Sequence, residues 1–330
     1  CSHADFDYTD VVNNVVLCWD RLLRQRREDV VRNALEHGAA GLLLLSDPGE
    51  AQPFDRLSPN RAAWVPEPIP TLRISETVAH DLLSGTDLTL ADLTTALLPF
   101  PLSTTVRLEV PLQIDESAQG RNVLGVLPGR DPAHKEEVVI LGAHYDHVGE
   151  DPDGRAWPGA NDNASGVAAL LETARSWQAQ GYVPRRTVLF AAWDAEEIGL
   201  LGSRHYVEQP PYGLDNTVGV INLDMVGAGE EILYLSGAGL ESQTVAVAAT
   251  MGITATVSDS GRSDHYPFQQ AGVPAGTLIW FGEGEVPDYH RPSDTLATIE
   301  SEKLVAVGRM AGLMALNLAE AEPQIETLLA

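Results

Sequence analysis

Val138-Val139-Ile140-Leu141-Gly142-Ala143-His144-Tyr145-Asp146-His147 passes without a break from apolar residues into a group of imidazoles and a carboxylate. A short β-branched run of this kind reads as a buried strand, and the polar group then lies at its C-terminal end. A loop later comes Gly159-Ala160-Asn161-Asp162-Asn163-Ala164-Ser165-Gly166, which opens a helix expected from Ala164 to Gln180. Val167, Leu170, Leu171 and Ala174 recur there at the spacing of a helix face that packs on a sheet. Strands are expected near Thr105–Val110, Asn122–Leu127, Thr187–Trp193, Thr217–Asp224, Ile232–Ser236, Thr254–Val257 and Ala275–Trp280. Helices are expected near Leu201–Glu208, Leu240–Met251, His265–Gln270 and Ser301–Glu320. Strands alternating with helices imply an α/β fold: a mixed, mostly parallel sheet with helices on both faces. In an open sheet of this type ligands bind beyond the carboxyl ends of the strands.

That edge is where the chemistry-bearing fragments fall. Besides His144 and Asp162 there are Asp194-Ala195-Glu196-Glu197, Asn222-Leu223-Asp224-Met225 and Asp288-Tyr289-His290-Arg291. Two imidazoles and three carboxylates, with one carboxylate to spare, suit two neighbouring zinc ions, which take nitrogen and oxygen donors. Metal pairs in hydrolases lie roughly 3.5–4 Å apart, and a bridging carboxylate offsets their repulsion. Asp162 is the expected bridge, with His144 and Asp224 on one ion and Glu197 and His290 on the other. Asp146 follows His144 by two positions, so both leave the same face of a strand, and its carboxylate is expected to accept the second ring N–H of His144. Glu196 and Glu197 are adjacent and point apart; Glu196 is assigned as general base and Glu197 as ligand. His3, His37, His80, His134, His147 and His205 are read as surface or packing residues.

With those fragments in place, the chain resembles the family-28 metallopeptidases, the co-catalytic zinc aminopeptidases of bacteria and fungi. The likeness covers roughly residues 104–320 and ends in His290-Arg291-Pro292-Ser293-Asp294-Thr295. It implies the same ligands, Asp162 as bridge, Glu196 as base, and a cis peptide bond after Asp162. It also gives Tyr289 a place either as a donor to the developing oxyanion or as a packing residue. Gly261-Arg262-Ser263-Asp264-His265 matches a substrate-facing loop, where Arg262 either contacts substrate or serves structure. Met225, Trp280, Phe281 and Tyr289 are expected to wall a side-chain pocket.

The expected reaction is peptide hydrolysis by an aminopeptidase, in which a zinc pair acidifies a bound water and Glu196 carries its proton to the leaving amine. Carboxypeptidase or dipeptidase action is the rival, with Arg262 as the clamp for a substrate carboxylate. A glutaminyl cyclase-like acyltransferase and a metal-free binding ectodomain share the fold, but the complete ligand set disfavours both.

Residues 1–103 read as a separate, smaller α+β domain that resembles a protease-associated domain, and residues 104–330 as the peptidase domain. A strand at Asn14–Cys18, a charged helix at Arg24–His37, a buried strand through Leu42–Leu45 and a helix at Glu76–Ser84 carry that likeness. The module is either a lid or partner-binding surface, or a purely stabilising insert. The helical segment that precedes such an insert in the family has no counterpart after Cys1. That is expected of a mature or shortened chain, or of one completed by another chain.

The 330 residues suit two domains. With 21 basic and 47 acidic residues the net charge is −26, which argues against nucleic acid and anionic membranes as partners. No apolar run reaches spanning length and no signal peptide is read. Cys1 is either the lipidated first residue of a processed lipoprotein, a partner of Cys18 in a disulfide, or simply the start of the chain. An exported protein acting on peptides is the expectation.

Overall fold

The computed structural model describes residues 3–19, 27–45, 69–95, 99–109, 117–150, 154–229, 233–258, 263–280 and 288–321. The chain forms two compact units. One comprises residues 1–57 and 63–118, the other 58–62 and 119–330.

In the first unit, β1 (Val15–Trp19), β2 (Gly41–Leu45) and β3 (Thr71–Ile74) form a sheet in the order β1-β2-β3, all parallel. α1 (Arg27–Glu36), α2 (Glu76–Leu83) and α3 (Leu90–Thr95) complete it. β2 is buried along its whole length, and its leucines alternate between two small cores. Leu42 and Leu44 pack with Val30, Val31 and Ala34 of α1, while Leu43 and Leu45 pack with Ala79 of α2. That is the period-two pattern of a strand covered on both faces. An α+β module was expected; the three described strands are all parallel, and α1 lies between β1 and β2 in the chain. Ser75 caps α2 through its hydroxyl, which accepts from the Val78 N–H.

Residues 105–109 do not form the expected strand. Among the described residues they pair with no strand; instead Leu108 joins the Leu43–Leu45 core and Thr104 donates to the Leu82 carbonyl. The segment belongs to the first unit, and the boundary falls between 118 and 119 rather than between 103 and 104.

The second unit is built on seven strands: β4 (Val123–Leu127), β5 (Val138–His144), β6 (Thr187–Trp193), β7 (Thr217–Leu223), β8 (Leu233–Ala238), β9 (Ala255–Ser258) and β10 (Ala275–Trp280). Their order is β4-β6-β5-β7-β10-β8-β9, with β4·β6 and β8·β10 antiparallel and the other pairs parallel. The helices are α4 (Ser165–Ala179), α5 (Leu201–Glu208), α6 (Glu241–Met251), α7 (His265–Gln270) and α8 (Ser301–Glu320). Every residue of β5 is buried. Val139, Leu141 and Ala143 face Leu170 of α4 and Met310, Ala311 and Met314 of α8. Val138 and Ile140 face the opposite layer, where Trp193, Tyr206 and Phe268 meet with ring centroids 5.4–5.7 Å apart. Burying a side chain of this size contributes roughly 1.5–3 kcal/mol, so β5 is fixed from both sides and delivers His144 to the sheet edge. Among the described residues no helix is long and apolar enough to cross a membrane.

Candidate metal centre

The loops that leave β5, β6 and β7 at their carboxyl ends converge with the turn before α4 and with Asp288-Tyr289-His290. His144 is the last residue of β5, and the Trp193 carbonyl of β6 accepts from the Tyr145 N–H just beyond it at 2.9 Å. Its Nε2 lies 3.4 Å from Oδ1 of Asp162 and 3.3 Å from Oδ1 of Asp224. The other oxygen of Asp162, Oδ2, lies 3.1 Å from His290 Nε2, which is 2.9 Å from Oε2 of Glu197. The sequence-predicted ligands His144, Asp162, Glu197, Asp224 and His290 thus stand together, with Asp162 in the middle.

Zinc donors at 2.0–2.2 Å from the ion and at tetrahedral angles are separated by about 3.3–3.5 Å. The His144–Asp162–Asp224 spacings match this, and those about His290 are slightly tighter. The donor chemistry agrees: among the described residues no lysine or arginine pairs with these carboxylates, so the negative charge calls for cations. The titration behaviour points the same way. Burial opposes ionisation of Asp162, yet hydrogen bonds from His144 and His290 hold it well below the usual carboxylate range. Burial opposes charge on His290 too, but Asp162 and Glu197 push it up to about 9.

The turn that places Asp162 is held from several directions. Asp294 is buried and accepts the N–H groups of Asn161 at 2.8 Å and Asp162 at 3.0 Å. The Asn161 side-chain oxygen accepts from Gly227 and Ala228, both at 2.9 Å, and Asn163 donates to the Leu223 carbonyl at 2.8 Å. The Asp162–Asn163 peptide bond is cis. Gly166 lets the start of α4 approach β7, since a Cβ there would stand 2.6 Å from the Leu223 carbonyl oxygen. Ser263 donates to Oδ2 of Asp224 at 2.6 Å and itself accepts from Asn222 at 3.0 Å, which turns Oδ1 of Asp224 to the imidazole.

Asp146 departs from its expected role. The His144 Nδ1 faces the main-chain oxygen of Asp146 at 3.1 Å, and the carboxylate Oδ1 is farther, at 3.7 Å. The carboxylate instead accepts the N–H groups of Glu196 at 2.9 Å and Glu197 at 3.2 Å. The reason is local: β5 ends at His144, so strand alternation no longer governs Asp146. Glu196 sits in the turn after β6, with one oxygen near His144 and Glu197 in a common donor group. Burial, opposed by His144 and reinforced by Asp224, Asp264 and Glu197, pushes its carboxyl up to about 9. Asp264 is fully buried nearby, and burial likewise raises it to about 7.

Tyr289 is 49 % exposed and stacks on His290 with centroids 3.9 Å apart. Met225 is buried beside Asp224. Trp280, expected in the pocket wall, is instead buried in the core shared with α8, because β10 turns it to that layer. Arg262 and Phe281, like Gly261 and Cys1, lie outside the described residues; Cys18 is buried and is not a free thiol. His147, read as a surface or packing residue, is in the centre: its Nδ1 is 2.9 Å from Oε1 of Glu197. Its sequence signal was its place in the same loop as His144 and Asp146.

Residues 122–315 match the family model of Peptidase family M28. The chain belongs to this family. It is 31 % identical to LpqL of Mycobacterium tuberculosis, named as a probable lipoprotein aminopeptidase, over 92 % of this chain and 62 % of that protein. It is 35 % identical to the aminopeptidase YwaD of Bacillus subtilis over 57 % of this chain and 42 % of the relative. The chain therefore spans less than two thirds of these relatives. Among solved structures, BSAP, a zinc aminopeptidase from Bacillus subtilis, superposes with a TM-score of 0.75 at 25 % identity, covering 97 % of this chain and 73 % of that one. An aminopeptidase from Aneurinibacillus gives 0.67 at 27 % identity, with the same coverage. The M28 membership and these neighbours imply zinc as the metal.

Proposed function

We propose that this chain is a two-zinc aminopeptidase that removes N-terminal residues from peptides. The observation that carries the reading is the division of Asp162, with Oδ1 toward His144 and Asp224 and Oδ2 toward His290 and Glu197. His144, Asp162 and Asp224 would hold one ion, and Asp162, Glu197 and His290 the other. Bound zinc supplies Lewis acidity, which polarises a peptide carbonyl and acidifies water.

The chain supplies the rest. Cations at the site would offset the Asp224 and Glu197 charges that raise the Glu196 carboxyl and so favour its ionised form; Glu196 then takes the proton of the attacking water and delivers it to the leaving amine. Asp146 holds the backbone of both acids by accepting their N–H groups. Tyr289, half exposed beside His290, offers an O–H to the developing oxyanion. The surplus of carboxylates suits a substrate with a free, positively charged α-amino group better than one presenting a free carboxylate. The names of the relatives, aminopeptidases in both proteins and solved structures, support the same choice. The N-terminal unit is read as a protease-associated module, and the protein as exported, in line with the name of the mycobacterial relative.

The test compares aminoacyl-p-nitroanilides and short free peptides with N-acetylated versions of the same sequences. Release of the N-terminal residue from free peptides alone, abolished by a chelator and restored by zinc, is the expected result. Cleavage of the blocked peptides from the C-terminus would give the site to a carboxypeptidase.

A further inference from the structure

His147 lies three residues after His144 and belongs to none of the roles assigned above. Its Nδ1 is 2.9 Å from Oε1 of Glu197, and Oε1 is not the oxygen that faces His290. The ring is nine-tenths buried. It lies edge-on to His290, with centroids 5.6 Å apart. Its opposite face rests on Gly159, where an added Cβ would stand 2.5 Å from the His147 Cγ; the backbone there also has φ +62°, which glycine accepts readily.

Two roles are open to an imidazole so placed: a further ligand to the ion, or a hydrogen-bond donor to Glu197. The distances separate them. His147 Nδ1 is 4.0 Å from Oδ2 of Asp162. Donors on one zinc at about 2.0–2.1 Å reach a separation of 4.0 Å only at an angle near 150°, far from tetrahedral. The 2.9 Å Glu197 contact is the length of an N–H donating to a carboxylate, but His290 shares it, so the 4.0 Å separation from Asp162, against 3.1 Å for His290, is what sets His147 apart. An ionised carboxylate only accepts, so the nitrogen facing it carries the hydrogen. Nε2 is buried and has no partner among the described residues, so it is better left as a lone pair than as an orphaned N–H.

We propose that His147 is a positioning residue for Glu197: it donates Nδ1–H to Oε1 and keeps Oε2 turned toward His290 and the metal. The loop after β5 then holds the acid pair at three points, two through Asp146 to the backbone and one through His147 to the Glu197 side chain. The assignment rests on the two-ion reading above, because it concerns the ion at Glu197 and His290.

The test uses the full chain with His147→Asn and His147→Leu. Asparagine carries an N–H at the same bond distance from the backbone as Nδ1; leucine fills similar space without a donor. Zinc stoichiometry, zinc dissociation constants by chelator competition, and the visible spectrum of the cobalt-loaded protein are measured beside kcat and KM. His147→Leu is expected to bind one of its two ions about 10–100-fold more weakly, as loss of an outer-shell partner does. Its cobalt spectrum changes, while His147→Asn binds both ions as the parent does. Unchanged affinity and spectrum in His147→Leu would overturn the assignment, as would an asparagine variant as weak as the leucine one, which would mark His147 as a ligand. Should His147→Leu not fold, tight binding of both ions by His147→Asn still supports the donor role and weak binding defeats it. A parent protein that takes up fewer than two ions would instead remove the two-ion reading beneath it.

Discussion

Asp146→Asn isolates the main-chain role of this carboxylate, because it keeps the shape and removes one acceptor. Oδ1 accepts the Glu196 N–H at 2.9 Å and Oδ2 the Glu197 N–H at 3.2 Å. Asparagine can keep one of these bonds, and its NH₂ then faces the other N–H, donor against donor. Hydrogen bonds to charged groups are worth about 1.5–3 kcal/mol, and a buried donor without an acceptor costs a similar amount. A loss of about 2–3 kcal/mol is therefore expected, part of it relieved by movement of the Glu196–Glu197 turn.

In the proposed mechanism that turn carries both the base and a ligand, so the loss is expected in function as well as in stability. At 1.36 kcal/mol per tenfold, kcat/KM for an aminoacyl-p-nitroanilide falls by about 30- to 150-fold. Zinc affinity at the Glu197 side falls with it, and at the His144–Asp224 side less, because the nearer His144 contact, at 3.1 Å, is to the Asp146 main chain and the carboxylate lies 3.7 Å away. Steady-state kinetics on the zinc-saturated variant, with metal content measured in parallel, test this. Activity within about threefold of the parent, which is under 1 kcal/mol, would show that the carboxylate does not hold the acid pair.

Other expectations follow from single contacts. Glu196→Gln keeps its zinc and loses about 10²–10⁴-fold in kcat, the contribution of a positioned base; metal analysis and kinetics together check it, and unchanged turnover removes the assignment. Glu320 ends α8, where the helix dipole disfavours an acid, yet it accepts from Arg130, Tyr182 and the Arg185 N–H, and the Arg130 hydrogen bond leads in pulling its carboxyl down to about 2. A depressed carboxylate stabilises above its ordinary 4.5 and ceases to do so as pH falls toward about 2. Glu320→Gln is thus expected to cost about 1 kcal/mol at pH 6, discounted for its partial exposure, and nothing near pH 2, as urea midpoints at the two pH values would show. Arg186 is buried, pairs with Glu137 and donates to the Leu318 and Ala321 carbonyls at the end of α8. Arg186→Met leaves those acceptors unpaired and is expected to lower stability by about 3 kcal/mol, read from denaturant unfolding of the metal-free protein.

The sheet is legible in the sequence because its central strands are covered on both faces and are therefore apolar almost throughout. Val138–Leu141, Thr187–Trp193 and Ala275–Trp280 each read as strands for that reason, and helices such as His265–Gln270 and Ser301–Glu320 fall where the pattern places them. Residues 105–109 mislead because Val106 and Leu108 alternate as in a strand, whereas a strand also needs a neighbour to pair with, and alternation does not disclose one. The trio His144, Asp162 and Asp224 can be read because each stands at the end of an apolar run or in a small-residue loop. Loop geometry is what the pattern withholds. Once β5 ends, period two no longer says where Asp146 and His147 point, and both take roles that only three-dimensional neighbours define.

The backbone around the site explains how these loops hold unusual positions without the regularity of a sheet. Of the non-glycine residues with positive φ, Ala195 precedes the acid pair, Leu200 follows it, Met225 follows Asp224, and His290 is itself a donor. Such conformations cost of order 1–3 kcal/mol each and persist only where surrounding contacts fix them. Here the contacts are visible: Leu201 N–H to the Ala195 carbonyl at 3.0 Å, Trp280 N–H to Met225 at 3.3 Å, and the Asp294 and Asn161 bonds that pin the turn of Asp162. The protein thus holds these loops, and the donors they carry, through its own hydrogen bonds.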